Sequence, residues 1–293
     1  MTTLLPIITS IIKVAIEAGS PLLAGTLGEI FTERSGVINL GVEGMMIMGA
    51  VSAFLFSQIT ANAWIGIMGA ALIGGAMALI HAFMSVKLKV NQNISGLALA
   101  MLGSGLSSLI GQKYIGIPGY TLKPILFGLD ALTIFFILLV PASWIILFKT
   151  KIGISIRSVG DNPEAAYSLG VNVYAIRYIC TVIGGVLAGL AGAYLSLSYI
   201  PSWTENMTVG RGWIVLALTI FASWNPIHAL IGSWLFGGIE AIQYRLQPLG
   251  ISPSLLGTLP FIFTIIMLVI GTRERVRKRM GAPAALGKPF IEE

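Results

Sequence analysis

Residues 149–172 read KTKIGISIRSVGDNPEAAYSLGVN and are the one substantial polar interruption in a chain dominated by long apolar runs. Within this stretch, Asp161 or Asn162 can cap the N-terminus of a short helix. Pro163 suits the first helical position, and Glu164 lies where the helix dipole favours an anion. These residues predict a helix that begins at position 163.

Gly170 marks the other end of this helix, because glycine readily adopts the left-handed conformation that terminates helices. Residues 163–169 would then make roughly two turns, or about 10 Å. Three small or apolar residues would face the aqueous side: Ala165, Ala166 and Leu169. We interpret the helix as a docking site for another protein, and the alternative is a simple connector between two membrane spans.

The composition places the chain among membrane proteins. Apolar residues make up 56% of it, charged residues only 10%, and the mean hydropathy is +0.89, whereas a soluble domain carries about 25% charged residues. Runs of about 20 apolar residues can cross a hydrocarbon core of about 30 Å. The sequence therefore predicts an all-α, polytopic helical membrane protein. With one cysteine and two histidines in the chain, we expect neither an intrachain disulfide nor a metal site.

The apolar runs predict about nine transmembrane helices, one or two of them broken or partial. The predicted spans cover residues 5–30, 37–58, 62–86, 93–110, 130–148, 174–199, 209–223, 226–246 and 253–271. The start of the first span carries Lys13 and Glu17, so an alternative place for it is along the membrane surface. The seventh span is short and flanked by glycines. We expect a transmembrane domain over residues 1–272, with a cytoplasmic loop at 149–172, and a basic cytoplasmic tail over residues 273–293.

The distribution of lysine and arginine predicts the orientation, because these residues accumulate on the cytoplasmic side. With the C-terminus in the cytoplasm, thirteen of the eighteen lie inside. An odd number of spans then places the N-terminus outside. The net charge of +6 is thus an orientation signal and does not indicate nucleic-acid binding. The segment RERVRKR at residues 273–279 is predicted to lie against anionic lipid headgroups.

The segment ERSGVINLGVEG at residues 33–44 places three glycines between two apolar runs. Asn39 and Glu43 are four positions apart and would share one helical face. A carboxylate within a span is costly unless it faces a partner or a water-filled cavity, and discontinuous helices that line cavities are common at transport sites. We therefore predict Asn39 and Glu43 on the wall of a solute pathway. A purely structural pairing of Glu43 with a neighbouring helix is the alternative.

A second polar cluster, SWTENMTVGRGW at residues 202–213, is predicted on the outer side. Its aromatic and amide groups suit a hydroxyl-rich or heterocyclic solute, and an interfacial anchor is the alternative. The candidate pathway residues in it are Trp203, Glu205, Asn206, Thr208 and Arg211. A third patch, at the inner mouth of the fourth span, adds Asn93 and Ser95, although helix capping also accounts for Asn91 or Asn93.

No catalytic constellation is present in the sequence, so we do not predict an enzyme. The segment GAPAALGKP at residues 281–289 is a near-miss to a phosphate-binding loop. It has five residues between its glycines instead of four, and Pro289 where Ser or Thr would bind magnesium. We predict no cofactor on this chain. A protein that moves a solute and has a docking helix but no nucleotide site would draw its energy from another subunit.

Three motifs resemble those of bacterial ABC-importer permeases for simple sugars and nucleosides, a group that includes ribose-type and branched-chain amino-acid permeases. The motifs are GEIFTERSGVINLGVEGMMIMGA at residues 28–50, SVGDNPEAAYSLGV at 158–171, and MTVGRGWIVLAL with FASWNP at 207–226. The second resembles the coupling-helix motif of that family. The first is closer to the nucleoside-type branch than to ribose permeases, which carry GGIDLSVG-like residues there. The likeness covers essentially the whole chain.

The resemblance implies a permease subunit of an ATP-driven nucleoside importer in the bacterial cytoplasmic membrane. A permease for ribose or another simple sugar is the nearest alternative, and an ion-coupled secondary transporter is a more distant one. The resemblance also implies three partners: a homologous permease, a tandem-domain ABC ATPase that binds ATP and magnesium, and an extracellular or periplasmic solute-binding lipoprotein. The coupling helix then maps onto Asp161, Asn162, Pro163, Glu164, Ala165, Ala166 and Gly170.

Overall fold

Helices make up most of the computed structural model, which describes residues 4–247, 252–271 and 281–291. In chain order they are α1 (Leu4–Arg34), α2 (Val42–Thr60), α3 (Ala63–Ala82), α4 (Gln92–Gly111), α5 (Ala131–Lys149), α6 (Lys151–Asp161), α7 (Pro163–Ser168), α8 (Val173–Tyr194), α9 (Arg211–Phe221), α10 (Pro226–Leu246), α11 (Pro253–Leu256) and α12 (Leu259–Gly271). A small antiparallel hairpin of β1 (Pro124–Leu126) and β2 (Leu129–Asp130) lies between α4 and α5. The predicted helical class is confirmed, with this hairpin as a minor departure.

Six helical segments of the described chain are long and apolar enough to cross a membrane. They are Thr9–Arg34, Val42–Thr60, Ala63–Lys87, Gln92–Tyr114, Ala131–Lys149 and Val173–Tyr199, and they coincide with the first six predicted spans. The start of α1 is not a separate surface element, because α1 is one continuous helix of 31 residues. The last three predicted spans correspond to α9, α10 and α12, so the count of nine crossings stays a prediction.

Helix α9 is too short to cross a bilayer alone. It has 11 residues, or about 16 Å at 1.5 Å per residue, which is roughly half of a hydrocarbon core. Gly210, directly before it, has φ +80°, a left-handed conformation that glycine adopts without strain. The short seventh span predicted from its flanking glycines is therefore confirmed as a short helix.

Helix α8 is the centre of the bundle and packs against α1, α2 and α3, while α1 also packs along α10. Small residues allow these close approaches. A Cβ atom at Gly189 would collide with the Ala70 carbonyl of α3, and one at Gly192 would collide with the Met46 carbonyl of α2. This is the small-residue packing typical of helices in lipid.

The end of the bundle that carries Arg34 is covered by a layer of short elements. Helix α6 buries Ile156 and Val159 against the bundle, and α7 follows directly. Residues 281–291, which we call the tail segment, lie against the α1–α2 connection, α6 and α8 through hydrogen bonds described below. The basic stretch predicted to meet lipid headgroups, residues 273–279, lies outside the described residues.

Candidate functional site

The connection between α1 and α2, residues 35–41, folds back along the end of α1. Gly36 has φ +90°, where an L side chain is strained. Asn39 is fully buried in this connection. Its Nδ2 donates to Glu29 Oε1 at 3.0 Å, and its Oδ1 accepts from the Gly41 N–H at 3.1 Å. Asn39 thus joins the connection to Glu29 of α1 and satisfies one backbone N–H of the connection itself.

The prediction that Asn39 and Glu43 share a helical face is wrong, because α2 begins only at Val42 and Asn39 precedes it. Glu43 lies in the first turn of α2 and points toward α9. Its Oε1 accepts from Thr208 Oγ1 at 2.8 Å, and its Oε2 accepts from the Gly212 N–H at 2.7 Å. Two segments that both appeared as pathway candidates in the sequence therefore meet at Glu43.

The Glu43 carboxylate caps the N-terminus of α9 from outside that helix. Unpaired N–H groups and the helix dipole make such a terminus favourable for a negative charge. The first turn of α2 lies at the same point, since a Cβ on Gly212 would touch the Glu43 backbone. Two helices therefore begin side by side within the bundle, which is the discontinuous arrangement tolerated at membrane depth where polar groups are satisfied or line a cavity.

Arg211, the first residue of α9, forms an ion pair with Glu240 of α10. The contact is bidentate, with Nη2 to Oε1 at 2.6 Å and Nη1 to Oε2 at 3.2 Å, and each side chain is 14% exposed. Tyr199 completes the group. Its hydroxyl donates to Glu240 Oε1 at 3.1 Å, and the guanidinium carbon lies 5.4 Å from the centre of its ring. Bidentate pairing fixes the guanidinium in one orientation.

A cavity of about 120 Å³ opens beside this ion pair. Its lining combines polar, aromatic and aliphatic residues from α1, α9 and the residues just before it, α10 and α12: Leu22, Val209, Arg211, Ile214, Phe236, Glu240, Gln243, Pro260 and Phe261. An apolar cavity of about 150 Å³ holds a benzene ring, so the volume is close to that of one planar ring. We call Glu43, Thr208, Arg211, Gly212 and Glu240 the interior junction.

The remaining outer candidates lie away from the interior junction. Trp203 is fully buried, and its indole packs against Gly111 at the end of α4. In this conformation it contacts neither a solute pathway nor the membrane surface, and its predicted role in the pathway stays a prediction. Glu205 and Asn206 are exposed on the connection before α9. Sequence proximity to Thr208 and Arg211 did not place them together, because the chain turns at Asn206, where φ is +57°.

The two candidate residues at the start of α4 also differ in burial. Ser95 is buried, and its Oγ lies 3.1 Å from His81 Nδ1, while His81 Nε2 lies 2.9 Å from the Ile38 carbonyl. Asn93 is exposed, and its N–H donates to the Asn91 side chain at 3.0 Å. Capping by Asn91 is confirmed, and His81 of α3 joins Ser95 of α4 to the α1–α2 connection.

The predicted coupling helix is present as α7, residues Pro163–Ser168. Asn162 is its N-cap, with Oδ1 accepting from the Ala165 N–H at 3.0 Å. Asp161 is the exposed last residue of α6. Gly170 has φ +83° and ends the helix in the left-handed conformation, as predicted. The N-cap, the proline at the first position and the terminating glycine all lie in or directly beside α7 in the sequence, so this helix is specified locally.

The face that α7 presents is only partly as predicted. Ala165 and Glu164 are exposed, and Leu169 is 84% exposed. Ala166 is buried, so its prediction as part of the aqueous face is wrong. It packs in a small cluster with Val159, Val173 and Phe290. The most exposed large apolar side chain here is therefore Leu169, directly after α7, and Tyr167 on α7 itself is 42% exposed.

Several buried charges escaped the sequence analysis. Glu33 Oε2 accepts from Trp224 Nε1 at 2.5 Å, and Glu29 lies one turn earlier on α1. Arg177 of α8 is 1% exposed and donates to two carbonyls, Ser35 at 3.2 Å and Lys288 at 3.0 Å. A pair of acids four residues apart at the end of an apolar run, and an arginine just inside α8, are the signals that would have found them.

The chain matches the family model of the branched-chain amino acid transport system permease component over residues 11–271. Among curated proteins it is similar to TsgC13 of Haloferax volcanii, whose name assigns it to glucose ABC transport, with 36% identity over 97% of this chain and 98% of that protein. It is 33% identical to the guanosine ABC transporter permease NupQ of Bacillus subtilis, over 98% of both chains.

It is also 33% identical to the nucleoside ABC transporter permease NupC of Lactococcus lactis, over 93% of this chain and 94% of that protein. Among solved structures, an ABC transporter of the metal-chelate type in an inward-facing conformation has a TM-score of 0.53. It covers 89% of this chain and 85% of its own at 15% identity, so this likeness concerns the fold alone.

Proposed function

Because the chain belongs to the family of branched-chain amino acid transport system permease components, we propose that it is the permease subunit of an ATP-driven importer for nucleosides. The two 33%-identical relatives named for guanosine and nucleoside transport support this substrate class. The subunit forms half of the translocation pathway and hydrolyses nothing itself. ATP and magnesium bind to a separate ATPase, and this chain binds no cofactor.

The observation that carries this proposal is the exposed, capped helix α7. It is only six residues long, yet it has a side-chain N-cap, a proline at its first position and a glycine stop. Its outward side carries Glu164 and the 84% exposed Leu169. A short capped helix that exposes Ala165 and Tyr167 and is followed by the exposed Leu169 suits insertion into a groove of a partner. Movement of the ATPase would thereby reach the bundle.

The interior junction supports a polar pathway beside α9. Arg211 and Glu240 present a fixed donor and acceptor pair, and Gln243 adds an amide that can do both. Phe236 and Phe261 supply ring faces on the same cavity. Aromatic faces together with hydrogen-bonding edges are suited to a planar heterocycle, and a nucleobase is one. The sugar of a nucleoside would extend out of the cavity toward a second permease.

We propose nine crossings, with the N-terminus outside and the C-terminus in the cytoplasm. In this topology α9 is a half-span that runs from the interior junction to the cytoplasmic end, where Arg34 Nε donates to the Trp224 carbonyl at 3.3 Å. Residues 200–210 enter from the outer side to meet it. The thirteen cytoplasmic lysines and arginines support this orientation, and α7 then faces the cytoplasm.

The complete assembly in this proposal has four kinds of subunit. A homologous permease, in a heterodimer with this chain, forms the other half of the pathway. A tandem-domain ABC ATPase binds α7 on the cytoplasmic side. An extracellular or periplasmic solute-binding lipoprotein delivers the solute from outside. The membrane is the bacterial cytoplasmic membrane.

A second candidate is a permease for a simple sugar such as ribose. It is favoured by one observation, the 36% identity to a protein named for glucose transport. The L-arabinose permease AraH of Escherichia coli is more distant, at 28% identity over 74% of this chain. The cavity suits a sugar as well, because Arg211, Glu240 and Gln243 offer donors and acceptors to its hydroxyls, so the preference for nucleosides rests on the relatives.

Uptake by proteoliposomes that contain the complete assembly tests the proposal. We expect ATP-dependent accumulation of labelled guanosine that unlabelled nucleosides compete away and that ribose and glucose do not. Competition by the sugars alone would establish the second candidate instead. Uptake that persists without ATP and collapses with a protonophore would contradict both, because it would identify an ion-coupled transporter.

A further inference from the structure

The tail segment, residues 281–291, is joined to the bundle through its backbone. The Ala285 N–H donates to the Gly160 carbonyl at 2.9 Å, and the Gly287 N–H donates to the Gly36 carbonyl at 3.1 Å. These two bonds connect the tail segment to the end of α6 and to the α1–α2 connection. A length of chain that follows the last predicted span therefore returns to the cytoplasmic layer and fits between two of its parts.

Two arginines of the bundle hold the tail segment at other points. Arg177 donates from Nε to the Ser35 carbonyl and from Nη1 to the Lys288 carbonyl, so one buried guanidinium bridges the α1–α2 connection and the tail segment. Arg34 donates to the Gly281 carbonyl at 3.0 Å. Charged donors make hydrogen bonds about twice as strong as neutral ones. The tail segment is therefore held in a defined position by specific hydrogen bonds from charged side chains.

Phe290 attaches the other end of the tail segment to the coupling helix. Its side chain is 5% exposed and packs with Ala166 of α7. Its ring centre lies 5.6 Å from that of Tyr167 on α7 and 5.4 Å from that of Tyr174 on α8. Aromatic pairs at these separations add attraction beyond the buried area. Phe290 thus fixes α7 against the bundle.

From these contacts we infer that the tail segment is the link that carries movement of α7 to the interior junction, and that Phe290 and Arg177 are its positioning residues. The path runs from α7 through Phe290 and the Lys288 carbonyl to Arg177, then to residues 35–41, which lead directly into α2 and Glu43. A push on α7 would reach the N-terminus of α2 indirectly, because α7 packs on the tail segment through Phe290 and the α1–α2 connection is hydrogen-bonded to the same segment through Gly36. This inference rests on the proposed coupling role of α7.

The test compares Phe290→Ala with Ile291→Ala in the complete assembly reconstituted in proteoliposomes. Ile291 is the adjacent apolar residue and is 59% exposed, so its truncation removes a similar group without touching the cluster. We expect Phe290→Ala to bind the ATPase and hydrolyse ATP while transporting at least about fivefold fewer solute molecules per ATP, the lower end of ordinary coupling factors. Ile291→Ala should match the wild type, and Phe290→Leu should keep most of the wild-type number of solute molecules transported per ATP.

A double-mutant cycle separates transmission from a loss of folding. If Phe290 acts by fixing α7 to α8, it works through its contact with Tyr174. The double variant Phe290→Ala, Tyr174→Leu should then transport as many solute molecules per ATP as Phe290→Ala alone. If Phe290→Ala does not reach the membrane, Phe290→Leu and Tyr174→Leu replace it in the comparison. For these two variants we expect a smaller decrease in the number of solute molecules transported per ATP. An unchanged number of solute molecules per ATP in these variants overturns the inference. A wild-type assembly that shows no ATP-dependent uptake at all overturns instead the proposed function on which it rests.

Discussion

The interior junction and helix α7 are held together in opposite ways. At the interior junction, Glu43 is bonded to residues 165 and 169 positions away, and Arg211 to one 29 positions away. In α7, the capping bond of Asn162 spans three positions. The first region depends on the whole bundle and buries charge, whereas the second is locally encoded and largely exposed. Damage to the first should therefore cost stability and function together, and damage to the second should cost function with at most about 1 kcal/mol of stability.

The largest effect is expected at the Arg211–Glu240 pair. Arg211→Met leaves the Glu240 carboxylate without its cation, and loss of one partner of a buried pair costs about 3 kcal/mol at the lower end of the measured range. The lower end applies because each side chain is still 14% exposed. We expect a clear fall in the unfolding midpoint in detergent and loss of uptake.

The double variant Arg211→Met with Glu240→Met is the control for this prediction. Two well-packed apolar residues replace an ion pair with little loss of stability, so the midpoint should recover while uptake stays low. A single Arg211→Met variant with a wild-type midpoint would mean that the pair is not a structural element of the junction.

The second effect concerns Glu43 at the N-terminus of α9. Glu43→Gln keeps the shape but removes the charge that the helix dipole favours, which is worth up to about 2 kcal/mol in partly buried sites. Thr208→Val removes one of the hydrogen bonds to the same carboxylate and should cost about 1.5 kcal/mol, the lower end for a bond to a charged group. Thermal unfolding of the two purified variants should rank them in this order. Equal midpoints for Glu43→Gln and the wild type would show that α9 does not depend on this cap.

The same contrast explains which features were predictable from the sequence. Signals for α7 all lie within ten residues, namely Asn162, Pro163 and Gly170, and each acts through local backbone geometry. The membrane-spanning segments were predictable for a similar reason, because length and apolarity are local properties. The short α9 was visible in the glycines that flank it.

The predictions that the structure does not bear out concern residues whose surroundings are not evident from the local sequence. Ala166 was placed on the aqueous face because the sequence does not reveal that Phe290, 124 positions later, covers it. Asn39 and Glu43 were placed on one helical face because their spacing was taken to lie within one helix, whereas α2 begins at Val42. Trp203 is buried because α4 ends beside it, which its local sequence does not indicate.

A third prediction compares two glycines with the same backbone conformation. Gly170 after α7 and Gly116 in the connection between α4 and α5 have φ +83° and +81°, and a Cβ at either would meet nothing within 4 Å. Alanine at each position should therefore cost about 1 kcal/mol of backbone strain and no more. Both variants should have nearly the same unfolding midpoint.

Only Gly170→Ala should lower the number of solute molecules transported per ATP, because only Gly170 fixes the end of the coupling helix. Uptake and ATP hydrolysis measured in one proteoliposome preparation give this ratio. Equal ratios for the Gly170→Ala and Gly116→Ala variants would contradict the assignment of α7 as the coupling helix, since their strain is matched.

The smallest effect on stability is expected at Leu169, which should still have a clear effect on assembly. Its side chain is 84% exposed, so Leu169→Ser should change the free energy of unfolding by less than about 0.5 kcal/mol. A fully covered leucine at an interface contributes about 2 kcal/mol, and affinity for the ATPase should fall about tenfold or more. Phe127→Ser, at an 89% exposed position in the β1–β2 hairpin, is the matched control and should leave ATPase binding unchanged. A loss of ATPase binding in both variants would point to a general effect of surface polarity, while a loss in neither would remove Leu169 from the docking surface and leave α7 as a connector.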